Sequence, residues 1–380
     1  MIQRKLQTII EDRLFKGKAI IVIGARQVGK STLFKQITDR QQLPVLMMNC
    51  DEPEVKEMLV NINTQELRML IGDNRIVVID EAQRVANIGL TLKLITDNFE
   101  NVQLLVTGSS SLELQSKLNE PLTGRKYEYY LYPISTAELY DYKGLLFVKQ
   151  TLESRLIYGS YPDIINNKDE AKELIMNIAD SYLYKDLLSI ENIRRPALLD
   201  KLLVALALQV GSEVSYNEIA QTIGTDSKTV EKYIDLLEKC FVVFRLSAFN
   251  RNLRNELKKS KKIYFYDNGV RNAVIQNFAP INLRQDMGAL WENFFISERI
   301  KANHYNRNFV RCYFWRTKQQ QEIDYIEEAD GQLSAFEMKW NPKKVRTAIP
   351  KTFIDEYKVK QASIVTPENY LEWLVKDEQK

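Results

Sequence analysis

The chain has 380 residues, 45% hydrophobic and 27% charged with a net charge of +3, which suits a soluble protein of two or three well-buried domains and demands no nucleic-acid partner. A single histidine (His304) excludes a histidine-based triad or His-rich metal site, and three scattered cysteines (Cys50, Cys240, Cys312) lack metal-ligand spacing and suit inert thiols in a reducing cytoplasm. No signal peptide or membrane-length apolar run is visible, so the expectation is a cytoplasmic protein with no membrane partner.

In chain order, Ile2, Leu6, Ile9, Ile10 and Leu14 fall at helical spacing and predict an N-terminal helix. Ala19–Ile23 is a continuous apolar run of the kind parallel strands show. It leads into Gly24-Ala25-Arg26-Gln27-Val28-Gly29-Lys30-Ser31-Thr32, which fits the phosphate loop G-x-x-x-x-G-K-[ST] at every fixed position. The glycines let backbone N–H groups curl inward around an anion. Lys30 then reaches the β- and γ-phosphates of ATP, and the Ser31 hydroxyl ligates Mg²⁺. Leu33, Phe34 and Ile37 continue as a helix whose N-terminus faces the phosphates.

Pro44–Asn49 is a second apolar run, and Val55–Leu70 reads as helices broken near Asn61–Thr64. Arg75–Glu81 is an apolar strand ending in two carboxylates at the edge where parallel sheets bind ligands. There Asp80 holds the Mg²⁺ shell and Glu81 polarises the attacking water; the alternative is an ordinary acidic turn. Val102–Val106 predicts the next buried strand, followed by Thr107-Gly108-Ser109-Ser110-Ser111. Thr107 or Ser109 is a candidate for contacting the γ-phosphate, the alternative being a hydroxyl-rich helix cap. Arg125 precedes the aromatic strand Tyr127–Tyr132, where it either completes an ATP site, in its own subunit or in a neighbour's within an oligomer, or is a surface residue.

Strands alternating with helices over residues 1–135 give the signature of a parallel α/β sheet. The order of phosphate loop, Asp-Glu strand, Thr/Ser strand and arginine resembles the AAA+ and related STAND ATPases. Residues 133–139 start a helical lid, and Val148–Leu208 reads as helical apart from the turn Tyr158–Asp163. The strand leading to Tyr132-Pro133-Ile134-Ser135, the turn Gly159-Ser160-Tyr161-Pro162 and the stretch Ser181-Tyr182-Leu183-Tyr184-Lys185-Asp186 resemble a large prokaryotic group of AAA+ ATPases. Members of that group join an ATPase, a winged helix and a restriction-endonuclease-like domain catalogued as of unknown function. The resemblance implies an α/β protein with an AAA+ P-loop parallel sheet (1–140), a helical lid or linker (141–208), a winged helix-turn-helix (209–275) and a PD-(D/E)xK nuclease-like α/β domain (276–380).

The residues of the second half carry their own signals. Ile219, Ala220 and Ile223 suit a short helix, Gly224-Thr225-Asp226 a turn, and Ser227 the cap of a second helix presenting Val230, Ile234 and Leu237. Phe241–Leu246 and Lys262–Tyr266 would be wing strands. The basic set Arg251, Arg254, Lys258, Lys259, Lys261 and Lys262 between and on them suits phosphate contact with DNA or RNA, or else a lysine-protected hairpin. Glu322–Ile326 and Leu333–Lys339 read as strands; in the second, Glu337 and Lys339 share a face, and with Asp324 they form an acid–acid–lysine cluster able to hold Mg²⁺ and orient water. The cluster resembles PD-(D/E)xK nucleases, with Glu292 as the helix-borne acid; Ile323 stands where that family usually has proline. The alternative is a cross-strand salt bridge. Lys343, Lys344 and Arg346 follow, suited to a nucleic-acid backbone or a charged loop. The reading favoured by these residues is an ATPase with ATP and Mg²⁺ as ligands, coupled to a C-terminal module that binds or cuts nucleic acid. One rival is a non-catalytic ATP-dependent switch whose degenerate nuclease-like domain binds a protein partner; another is a defence nuclease gated by ATP.

Overall fold

The computed structural model describes residues 1–109, 122–181, 195–250, 261–341 and 349–375. By internal contacts the chain divides into two compact units: residues 1–133 with 239–241, and residues 134–238 with 242–380. Ser110, Ser111, Tyr182–Asp186, Arg251, Arg254, Lys258, Lys259, Lys343, Lys344 and Arg346 lie outside the described residues.

In the first unit, β1 (Ala19–Ile23), β2 (Val45–Asn49), β3 (Ile76–Asp80), β4 (Gln103–Gly108) and β5 (Lys126–Tyr130) form one parallel sheet in the order β2-β3-β4-β1-β5. β1 is buried along its whole length, as a central parallel strand requires, and pairs with β4 on one side and β5 on the other. Because every strand runs the same way, the ends of β1, β3 and β4 meet at one edge of the sheet. Helices α1 (Lys5–Glu11), α2 (Lys30–Gln41), α3 (Pro53–Leu59), α4 (Thr64–Ile71) and α5 (Ile88–Asn98) belong to the same unit. The break between α3 and α4 is set by Asn63, whose side chain accepts from the Glu66 N–H while Glu66 accepts from the Asn63 N–H.

The second unit holds a seven-stranded sheet in the order β12-β11-β10-β9-β7-β8-β6. Its strands are β6 (Glu213–Val214), β7 (Val243–Ala248), β8 (Lys261–Phe265), β9 (Arg311–Arg316), β10 (Glu322–Ala329), β11 (Gln332–Met338) and β12 (Gln361–Val365). Two helices, Tyr216–Ile223 and Ser227–Lys239, follow one another through Gly224, which lies in the left-handed region. The second helix is capped by Asp226 rather than Ser227: the Asp226 carboxylate accepts the N–H groups of Lys228 and Thr229 and the Thr229 hydroxyl. The wing strands do not close a sheet of their own. β7 pairs in parallel with β9, which places them in the same sheet as the strands expected of the nuclease-like domain.

The helices expected as a lid group with this second unit, and polar contacts across long stretches of sequence explain why. The Thr136 N–H donates to Glu298, Arg155 donates to the Thr136 hydroxyl at 2.8 Å, and Asn272 donates to the carbonyls of Leu156 and Ile157 at 3.1 and 2.7 Å. Asp267 accepts the Ser160 N–H at 2.7 Å and also caps its own helix through Gly269 and Val270. Burial nonetheless pushes the Asp267 carboxyl above its usual range. Gly159 sits beside it with φ +83°, and a Cβ there would lie 1.9 Å from the Asp267 carboxylate. Gly159→Ala therefore combines a left-handed backbone with a clash against a buried acid. It should destabilise the second unit by about 3 kcal/mol, read as an earlier denaturant midpoint.

Candidate functional site

A candidate nucleotide site is built at the shared edge of β1, β3 and β4. Gly24 follows β1 so closely against the neighbouring chain that a Cβ would lie 2.1 Å from the Leu131 carbonyl oxygen. Gln27 and Gly29 both have positive φ (61° and 93°), turning successive peptides of the loop into a concave run. Lys30 opens α2, is 4% exposed, and donates to the carbonyls of Gly24 and Ala25 at 3.0 Å each. Its ammonium stands 3.9 Å from Glu81 Oε1.

The acids at the end of β3 are wired to both neighbours. The Ser31 hydroxyl donates to Asp80 Oδ2 at 2.6 Å, the Thr107 hydroxyl donates to Asp80 Oδ1, and the Glu81 N–H donates to Thr107 Oγ1 at 3.0 Å. Ser31 and Asp80 thus present two hard oxygens side by side, the donor set that Mg²⁺ takes together with phosphate oxygens and water. Glu81 has φ 52°, an unusual backbone for a non-glycine and of the kind found at functional turns. Gln83, a residue with no sequence motif to flag it, is buried and donates to Glu81 Oε2 at 2.5 Å and to Ser109 Oγ at 2.8 Å. Ser109 is therefore tied to Glu81 through Gln83, while Thr107 touches both acids. Cys50, next to this edge, has its thiol pushed up to about 12 by burial and then by Asp80, Asp51 and Glu81, which makes it inert.

Arg125 is not part of this edge. It precedes β5, where Ala19 pairs with Lys126, so it lies at the start of β1 while the phosphate loop lies at its end. The five residues of β1 separate the two, about 17 Å. Arg125 instead donates to Asp97 at 2.5 Å. In its own subunit it does not complete the ATP site.

A second constellation lies in the seven-stranded sheet. β10 and β11 pair Tyr325 with Phe336, and continuing this register sets Asp324 opposite Glu337. The pairing of β10 with β9 shifts between Ile323 and Ile326, a bulge that re-aims the side chains on either side of Asp324. Asp324 Oδ2 accepts the Met338 N–H at 2.8 Å, and Lys339 donates to Glu337 Oε1 at 2.6 Å. Glu337 Oε2 is buried and has no hydrogen-bond partner among the described residues. Glu292, from the helix Met287–Tyr305, accepts from Tyr264 at 2.6 Å and from Lys262 at 3.3 Å through the same oxygen.

Lys262 is not part of the basic surface expected of the wing. It is 1% exposed and ion-paired to Glu292 and, at 2.5 Å, to Glu322, so it cannot contact a phosphate backbone. Burial alone would pull its ammonium down, but Glu292, Asp324 and Glu322 more than offset this and hold it above its ordinary range. Burial, then Glu292 and Glu337, raises the Asp324 carboxyl well above the usual carboxylate range. Glu292 is also raised, first by burial. Among the described residues no three acidic, histidine or cysteine side chains converge to hold a metal ion by themselves. Two carboxylates with water and a phosphate would still suit Mg²⁺, and the orphaned Glu337 oxygen is available to one.

The fold and site of the first unit define a P-loop nucleotide-binding domain, and residues 16–140 match the family described as AAA domain. Residues 149–281 match a domain of unknown function (DUF8612), and residues 287–378 match a second one (DUF4143). An uncharacterized protein of Mycobacterium tuberculosis is 26% identical over 336 residues, covering 86% of this chain and 71% of its own. One of Haemophilus influenzae is 27% identical over 280 residues, covering 67% of this chain and 68% of its own. The Thermotoga maritima RuvB Holliday junction branch migration motor aligns at TM-score 0.34 and 14% identity, over 64% of this chain and 90% of that one, a likeness too distant to bear on function. Among the described residues no helix is long and apolar enough to cross a membrane.

Lys30→Ala removes the one ammonium held inside the phosphate loop. Affinity for a fluorescent ATP analogue with Mg²⁺ should fall by about 1.5–3 kcal/mol, the worth of a charge-assisted contact. An unchanged titration curve would contradict this assignment of the loop.

Proposed function

We propose that this protein is a Mg²⁺-dependent ATPase whose nucleotide state governs a nuclease-like C-terminal unit. The observation that carries the first half is the hydrogen-bonded run Ser31–Asp80–Thr107, with Glu81 beside it and Lys30 facing Glu81. The phosphate loop from Gly24 to Thr32 binds the phosphates, with Lys30 turning from the loop carbonyls to the β- and γ-oxygens. Ser31 and Asp80 would hold Mg²⁺, which neutralises phosphate charge when bound. Glu81, kept in place by Gln83 and by its own N–H bond to Thr107, takes the proton of the attacking water. Thr107 adjoins both acids and so is placed to respond to loss of the γ-phosphate.

The second half of the proposal is supported by the register that sets Asp324 opposite Glu337 and by Lys339 bound to Glu337. In this reading Asp324 and Glu337 hold a divalent ion, Lys339 orients water toward a phosphodiester of DNA or RNA, and Glu292 supports the site from its helix. One observation favours the rival, a degenerate nuclease fold serving as a protein-binding switch: Lys262 already neutralises Glu292 and Glu322. Arg125 enters only if the protein oligomerises and a neighbour's nucleotide site meets it.

Glu81→Gln keeps the side-chain shape and removes the base. ATP binding should persist while steady-state phosphate release falls about 100-fold or more; hydrolysis at the parent rate would place the base elsewhere. For the second unit, a Mn²⁺-supported nicking assay on DNA and RNA, with and without ATP, should show cleavage in the parent and none in Asp324→Asn. No cleavage by the parent under any condition would favour the switch.

A further inference from the structure

Arg4 stands outside every motif of the nucleotide site, yet it is 5% exposed and reaches into that site. It is the residue immediately before α1, and its guanidinium forks: Nη1 donates to the Val28 carbonyl at 2.6 Å and Nη2 to the Tyr132 carbonyl at 2.5 Å. Val28 lies in the phosphate loop, and Tyr132 lies just past β5, next to Leu131, whose N–H donates to Ile23 at 2.8 Å. We propose, building on the ATP-binding reading above, that Arg4 is a positioning residue that sets the phosphate-binding shape of the loop through the Val28–Gly29 peptide.

The argument is geometric. In a trans peptide the carbonyl and the following N–H point in opposite directions. A guanidinium that holds the Val28 carbonyl outward therefore aims the Gly29 N–H into the concave side of the loop. The residue carrying that N–H has φ 93°, open to glycine at little cost but not held there by glycine itself. Something must select this conformation before phosphate arrives, and Arg4 is in place to do so: its Nη1 lies 3.7 Å from where a Gly29 Cβ would be. The planar fork suits two carbonyls at once, and its charge strengthens both bonds. The second bond anchors the arginine to the backbone that leaves β5, so the loop is braced against the sheet rather than against a mobile side chain.

The test uses the full-length chain with Arg4→Met, which keeps the aliphatic stem and removes the donors, and Arg4→Lys, which keeps charge without the fork. A fluorescent ATP analogue with Mg²⁺ gives Kd, phosphate release gives KM and kcat, and melting without nucleotide reports the fold. Arg4→Met should bind about tenfold more weakly, with KM raised in parallel and kcat within about threefold, because Asp80 and Glu81 are untouched. Arg4→Lys should fall between the two. A folded Arg4→Met with parental Kd and KM overturns the inference, as does a lowered melting temperature with unchanged Kd below it, which marks a merely structural arginine. Should Arg4→Met not fold, Arg4→Gln carries the same test, and a parental Kd in it overturns the inference equally. If the parent protein itself does not bind Mg·ATP, the underlying ATP reading fails instead.

Discussion

The common direction of β1, β3 and β4 is the constraint on which the nucleotide site depends. Parallel strands deliver all their C-terminal ends to one edge, so a loop after residue 23, acids at 80 and 81 and a hydroxyl at 107 become neighbours although they are far apart in the chain. The same rule sends Arg125 to the other edge, since it enters β5 rather than leaving it. Tight backbone passage completes the arrangement: Gly24 runs against the Leu131 carbonyl, and any side chain there would push the loop off the sheet.

The second unit solves a different problem, the burial of many charges. Glu322 and Asp324 on β10, Glu337 on β11 and Glu292 on the helix Met287–Tyr305 crowd one region, where Lys262 from β8 and Lys339 just past the end of β11 meet them. Isolated, any one of these acids would be expensive to bury; together with two ammonium groups, a tyrosine hydroxyl and a backbone N–H they are largely compensated. The raised Asp324 carboxyl and the orphaned Glu337 oxygen mark where compensation is incomplete, and there an added cation would be stabilising.

Polar side chains also explain how residues 134–181 come to belong with the C-terminal sheet. Asp267, Asn268, Asn272, Asn293 and Glu298 each bond backbone groups, and several of these bonds span more than a hundred residues of sequence. Such contacts fix one arrangement, since a buried donor or acceptor shifted out of register would be left unsatisfied.

The sequence by itself determined the local elements of the first unit and which residues end its strands. The Ala19–Ile23 strand, the loop from Gly24 to Thr32 and the acids Asp80 and Glu81 were legible because phosphate binding needs those residue types at fixed short spacings, and strand periodicity places the acids at a strand end. It also determined that Asp324, Glu337 and Lys339 fall on neighbouring strands. Tertiary structure alone decided the rest. That β7 and β8 join the C-terminal sheet, that Lys262 is a buried counterion rather than a basic surface, and that Arg125 faces away from the loop all depend on strand order, which no local pattern encodes. Arg4 and Gln83 were silent for the same reason: each acts through a hydrogen bond to a residue distant or unremarkable in sequence, and a single polar side chain carries no periodicity to announce it.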